Sequence, residues 1–183
     1  MEKEKFNIKD YNHIIKFIEE KNFIKAEEEL FKIIDDKKDQ FYSHQLLGIV
    51  YSKTGNIDKA LSHYQTSIDL NSKNTGALFN LAMLYKSLNK DDSAVEYFLK
   101  VIKYDPKLIE PYLYIASIYE KKKKLNEANN FYQKALSLNK DYLPSNQSYS
   151  KFLMRAGEIP KGLSYQYKYF GIIKFKSKDI KII

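Results

Sequence analysis

The strongest constraint on this chain is an internal period. Ala26, Ala60, Ala94 and Ala128 recur every 34 residues, and Gly162 follows at the same step, so five successive units carry a minimal side chain at one place. Alanine occurs only 9 times among the 183 residues, so the spacing does not come from an alanine-rich composition. A period in this range marks an array in which each unit is one supersecondary element that buries its apolar face against its neighbours.

Other columns keep the same step. With residue 7 taken as position 1, position 11 reads Phe17, Tyr51, Tyr85, Tyr119 and Leu153, and position 24 reads Leu30, Tyr64, Phe98, Tyr132 and Gln166. Position 28 is apolar throughout (Ile34, Ile68, Ile102, Leu136, Phe170), and position 8 is mostly small (Ile14, Gly48, Ala82, Ala116, Ser150). Within a unit the marked positions 4, 7, 8, 11 and then 20, 24, 27, 28 step by three and four, which is one face of each of two successive α-helices. The break falls at Lys21-Asn22, Gly55-Asn56, Asn89-Lys90, Lys123-Lys124 and Gly157-Glu158, where Gly or Asn can end the first helix in several units. Each unit is therefore predicted to be a helical hairpin. Two helices approach to about 8 Å only where side chains are small, so positions 8 and 20 are the expected close contacts and the aromatics fill the gaps beside them.

This pattern, small at 8, aromatic at 11, Ala at 20 and aromatic at 24 on a 34-residue period, resembles the tetratricopeptide repeat. Unit two carries Leu47-Gly48, Tyr51 and Ala60; unit three carries Leu81, Ala82, Tyr85, Ala94, Phe98 and Pro106. The units fall at 7–40, 41–74, 75–108 and 109–142, with a degenerate fifth unit or cap at 143–176, a lead-in at 1–6 and a basic, apolar tail at 177–183. The family's Trp at position 4 is absent (Asp10, His44, Leu78, Tyr112, Asn146), and its Pro at position 32 survives only as Pro106. The resemblance implies an all-α, right-handed superhelical solenoid of antiparallel helix-turn-helix repeats.

It also implies a function. Stacked hairpins form a long concave surface lined by the first helix of each pair, and helical geometry then turns positions 2, 5, 6, 9 and 13 into that groove. These positions supply Tyr11, Asn12 and Ile15 from unit one, Tyr42, Gln45, Ile49 and Lys53 from unit two, Phe79, Asn80 and Met83 from unit three, and Tyr114, Ser117 and Lys121 from unit four. Leu46 and Leu113 fall on the same faces but can be buried between hairpins. Aromatic and aliphatic side chains dotted with amides suit an extended peptide, because an amide pairs with backbone while apolar neighbours hold side chains. Relatives that clamp a chaperone's C-terminal carboxylate use Lys and Asn at set positions. Only Asn12 and Asn80 match here, which disfavours that ligand.

Catalytic chemistry has little to work with. There is no Cys, hence no thiolate nucleophile, disulfide or iron–sulfur ligation, and the chain is expected to be cytoplasmic. The segment MEKEKFNIKDYN lacks the apolar core of a signal peptide and no run of 18 apolar residues occurs, so no transmembrane segment is expected. No Gly-rich phosphate loop or nucleophile elbow is present, and no cofactor or metal is expected. His13 and His44 occupy packing positions and read as core residues. His63 lies on a second helix with no acidic residue at metal-site spacing. The run Glu27-Glu28-Glu29, with Asp35-Asp36, reads as a solvated face, and Lys121 to Lys124 as a solvated turn.

The net charge of +8 is uneven. Residues 143–183 carry 8 cations against 2 acids, and 30 of the 31 cations in the chain are Lys, Arg155 being the exception. A Lys-rich balance of this kind fits an AT-rich coding sequence better than a nucleic-acid partner. The final unit also departs from a polar cap. Leu163, Tyr165, Tyr167, Tyr169, Phe170, Ile172 and Ile173 surround it, and Tyr165, Tyr167 and Tyr169 alternate as a strand would, leaving helix and strand both open over 163–183.

The reading that results is a non-enzymatic protein–protein interaction scaffold holding a peptide segment of a partner protein in its groove. Tyr165, Tyr167, Tyr169 and Phe170 form a candidate C-terminal interface for self-association, a docking partner or a further domain. Two alternatives stand beside it. The array can be the targeting module of a larger enzyme continuing past Ile183, or its C-terminal lysines (Lys168, Lys174, Lys176, Lys178, Lys181) can bind nucleic acid or an anionic membrane surface. Nucleic acid is the weaker of these, given a single Arg.

Overall fold

A computed structural model describes residues 11–34 and 39–170, with side chains to residue 168. Among the described residues there are ten α-helices and no strand. The chain divides into two compact units, Met1–Asp105 and Pro106–Ile183.

The first unit holds α1 (Asn12–Glu19), α2 (Phe23–Ile33), α3 (Gln40–Lys53), α4 (Ile57–Leu70), α5 (Thr75–Ser87) and α6 (Asp91–Tyr104). The helices pair consecutively, α1 on α2, α3 on α4 and α5 on α6; α2 also meets α3, α4 meets α5, and α3 touches α5. The second unit holds α7 (Glu110–Lys121), α8 (Leu125–Leu138), α9 (Leu143–Arg155) and α10 (Ile159–Phe170), paired α7 on α8 and α9 on α10, with α8 against α9 and α7 touching α9. These are the five hairpins that the 34-residue period predicts. Over 163–170 the helix reading holds, since α10 extends to Phe170.

Local chemistry sets the helix ends. Asn22, Asn56 and Asn74 cap α2, α4 and α5 by accepting the backbone N–H three residues on, at 3.3, 3.4 and 3.2 Å, each worth about 1 kcal/mol. Asp91 and Asp92 sit in the first turn of α6 and Lys103 in its last, matching the helix dipole. Pro111 sits in the first turn of α7, where its missing N–H costs nothing.

Between the two helices of every hairpin one residue takes a left-handed backbone: Lys21 (φ 60°), Gly55 (φ 81°), Asn89 (φ 57°), Lys123 (φ 60°) and Gly157 (φ 88°). These lie 34 residues apart, at position 15 of every unit. Gly and Asn suit this conformation; the two lysines adopt it because the hairpin geometry demands it, not because their own preference does.

The core is built from the repeat columns. Ala26, Ala60, Ala94 and Ala128 are fully buried, as are Ile14, Leu30 and Phe98, with Tyr64 and Tyr132 close behind. The close approaches are specific. A Cβ on Gly48 would lie 2.5 Å from the ring of Tyr64, so the aromatic at position 24 packs directly onto the small residue at position 8. In the last hairpin the predicted contact between positions 8 and 20 appears: a Cβ on Gly162 would lie 3.0 Å from the carbonyl oxygen of Ser150, whose hydroxyl donates to the Gly162 carbonyl at 2.8 Å.

Candidate functional site

In the first unit the predicted groove residues lie on α1, α3 and α5. Tyr42, Gln45 and Ile49 are half-buried along α3 and Lys53 is exposed at its end; Phe79, Asn80 and Met83 are half-buried along α5; Asn12 is exposed and Ile15 half-buried on α1. Leu46, one step round from this face, is buried, as are Leu47 and Val50. The amide of Gln45 packs on the start of α5, where a Cβ on Gly76 would come within 2.6 Å of its Nε2, so the absent side chain at Gly76 makes room for it. The Phe79 ring sits edge-on to Phe98 at 5.7 Å, which fixes one side of it.

Tyr11 is a correction. It is only 3% exposed, its hydroxyl 3.0 Å from the Ser43 hydroxyl and its ring edge-on to Tyr42 at 4.8 Å. From the N-cap position just before α1, it packs against the start of α3 and is part of the core between these hairpins.

In the second unit Tyr114 and Ser117 are half-buried on α7 and Lys121 is exposed. The Ser117 hydroxyl donates to the Tyr114 carbonyl at 2.8 Å. On α10, Tyr165 is half-buried with its ring edge-on to Tyr149 at 5.1 Å, while Tyr167 is 67% exposed. The side chains of Tyr169 and Phe170, with Ile172, Ile173 and the lysines from 174 onward, lie outside the described residues, as do Asp35 and Asp36.

The histidines depart from expectation. His13 is not a core residue; it is exposed on α1, 4.0 Å from Glu29. His44 on α3 and His63 on α4 form a pair, Nδ1 to Nδ1 at 2.9 Å. Their rings are tilted by 32° with centres 5.1 Å apart, so the nitrogens face one another as an N–H···N hydrogen bond requires. Burial holds both rings below the ordinary imidazole value, and for His63 the neighbouring His44 and Lys59 add to the effect while Glu27 opposes it. Tyr51 stacks on His63 at 5.2 Å and donates its hydroxyl to Glu27, and burial together with that carboxylate pushes the phenol up to about 12. Glu27 is therefore tied to the next hairpin and is not merely a solvated charge. The sequence places His44 and His63 19 residues apart on different helices, and only the hairpin pairing brings them together. Among the described residues no three His, Cys, Asp or Glu side chains gather into a metal-holding group.

Helical hairpins in consecutive pairs, a small residue at each close approach and a left-handed residue at each turn define a helical-repeat protein with partly exposed first-helix faces. The family model for the tetratricopeptide repeat matches residues 41–74, 75–108 and 109–142, more than half of the chain, and the chain belongs to that family.

Among curated relatives, the chain is 37% identical over 57 residues to the Photosystem I assembly protein Ycf3 of Rippkaea orientalis, covering 31% of this chain and 33% of that protein. It is 28% identical over 115 residues to the protein of the same name from Prochlorococcus marinus, covering 60% and 66%. The chain thus spans between a third and two thirds of the length of these relatives. Among solved structures, MamA from Desulfovibrio magneticus RS-1 superimposes with a TM-score of 0.74 at 15% identity, covering 92% of this chain and 94% of that one, a likeness of fold. The tetratricopeptide fold makes this chain a protein-interaction scaffold in kind. No described helix is long and apolar enough to cross a membrane.

Proposed function

We propose that the chain is a non-catalytic scaffold that holds an extended segment of a partner protein against the first-helix faces of its hairpins, chiefly α3 and α5. The observation that carries this is the graded burial on those two helices. Leu46, Leu47, Val50, Leu78 and Leu81 are buried in the core, while Tyr42, Ile49, Phe79, Asn80 and Met83 each keep part of their surface on the neighbouring stripe. Side chains braced on one side and open on the other lose little rotamer freedom on binding, and aromatics among them are the residue type that dominates interface energetics. Gln45 and Asn80 add amides that both donate to and accept from a peptide backbone. A scaffold whose work is to hold other polypeptides fits relatives that are photosystem I assembly proteins.

A peptide selected from a displayed random library against the whole chain provides the test. Tyr42→Ala and Phe79→Ala should each weaken its binding by about tenfold, the loss expected for a contact of about 1.4 kcal/mol, with the helical circular-dichroism signal retained. Binding unchanged in both variants would place the peptide elsewhere and sink the reading.

A further inference from the structure

The second unit holds a cavity of about 410 Å3, within the roughly 300–1,000 Å3 typical of ligand sites. Ser117, Glu120, Lys121 and Lys123 line it from α7 and the turn that follows, and Phe152 and Arg155 from α9. Arg155 is the only arginine in the chain. Its Nε donates to Glu120 Oε1 at 2.6 Å and its Nη2 to Glu120 Oε2 at 3.2 Å. Glu120 is gripped from the other side as well, its Oε2 accepting the hydroxyl of the buried Tyr132 at 3.0 Å. The carboxylate side chain is 16% exposed and the guanidinium side chain 60% exposed.

This arrangement points outward. A guanidinium carries five N–H donors in a rigid fork, and the bonds to Glu120 occupy the Nε and Nη2 edge, so the Nη1 edge remains for a ligand. A side chain already fixed in plane loses little entropy when it binds. As a stabilising device an ion pair with so exposed a guanidinium contributes little. Arg155, Lys121 and Lys123 line the cavity with Glu120, so cationic side chains outnumber acidic ones there, and the C-terminal ends of α7 and α9 offset about half a charge each. A small excess of this kind suits a monoanion better than a dianion. The planar fork matches a carboxylate, and Phe152 with the half-exposed Leu125 supplies apolar wall beside it.

We propose that this cavity seats a carboxylate of the partner polypeptide, an Asp or Glu side chain flanked by an aliphatic one, with Arg155 as the contacting group and Glu120 as a positioning residue. The inference rests on the reading that the chain holds a partner segment, but it concerns the other unit and is tested without a partner. The whole isotope-labelled chain is titrated by nuclear magnetic resonance with the blocked dipeptide N-acetyl-leucyl-aspartic acid α-amide, which sets a side-chain carboxylate beside an aliphatic side chain, then with its asparagine counterpart (the amide) and with inorganic phosphate. The acid should shift the Arg155 Nε–H and the Ser117 and Lys123 amides saturably, and the amide should not. Arg155→Gln should weaken the acid by about two- to fivefold, as loss of an exposed charge pair does. Glu120→Gln should leave the fold intact but move the Arg155 Nε–H signal and speed its exchange with solvent. If Arg155→Gln disturbs the spectrum of the whole unit, the joint substitution Lys121→Gln and Lys123→Gln, on exposed side chains, takes its place and should also weaken the acid. The proposal is overturned by no saturable response to the acid, by an equal response to the amide, by an acid response untouched in these variants, or by saturation with phosphate in preference to the acid. Failure of the α3 and α5 surface would show only in Tyr42→Ala and Phe79→Ala, so the two readings fall separately.

Discussion

Gly55→Ala isolates the contribution of the hairpin turn. Gly55 has φ 81° and nothing lies within 4 Å of where its Cβ would stand, so the substitution adds no clash and changes only the backbone term. Holding an L-residue in the left-handed region costs about 1–2 kcal/mol, and alanine returns about 0.5–1 kcal/mol through its less flexible unfolded chain. The net destabilisation is about 0.5–1 kcal/mol, or roughly 1–4 °C in Tm for a chain of this size. The converse substitution, Lys21→Gly, relieves the same strain at an equivalent position with φ 60° and should raise Tm by a similar small amount, while Asn89→Gly should be close to neutral because Asn tolerates this region. Thermal melts followed by circular dichroism read all three. A neutral Gly55→Ala together with a destabilising Lys21→Gly would refute the view that position 15 is a backbone requirement common to all five hairpins.

Gly48→Ala should cost about 1–3 kcal/mol by overpacking, since its Cβ would meet the Tyr64 ring at 2.5 Å; Gly76→Ala, which meets only the mobile end of Gln45, should cost less, and urea titration compares them. His44 and His63 both titrate below the ordinary imidazole value, so the unfolded chain takes up protons first. Stability should be full above about pH 6.5 and fall as the pH drops through and below it. His63→Phe should flatten that slope in urea midpoints measured against pH, and an unchanged slope would contradict the pairing. Tyr51→Phe removes the hydroxyl bond to Glu27 and should cost about 1 kcal/mol in the same titration.

The hairpins were legible because a repeat shows its packing columns several times over. Position 20, small in all five units, gave the period, positions 8, 11, 24 and 28 stepping with it gave the phase of the helices, and the turns followed from Gly55, Asn89 and Gly157. Lys21 and Lys123 could be placed only by period, since neither residue type favours a left-handed backbone. On α3, helical geometry put Tyr42 and Ile49 in the expected groove, where both are half-buried, and allowed Leu46 to be buried, as it is. Tyr11 was misplaced because it precedes the first helical residue of α1, where the 3.6-residue rule has no hold. The His44–His63 pair and the Tyr132–Glu120–Arg155 chain were invisible for another reason. Each joins helices whose relative rotation depends on how the whole hairpin packs, and a single sequence carries periodicity within a helix far more strongly than register between helices.

The proposed binding surface is the stripe beside the core along α3 and α5, and nuclear magnetic resonance of the whole chain with the library-selected peptide maps it residue by residue. The shifted amides should gather at Tyr42, Gln45, Ile49, Phe79, Asn80 and Met83, with those of the exposed second-helix residues Ser62, Asp69 and Glu96 unmoved. A set of shifts centred on α4 and α6, with α3 and α5 silent, would contradict it.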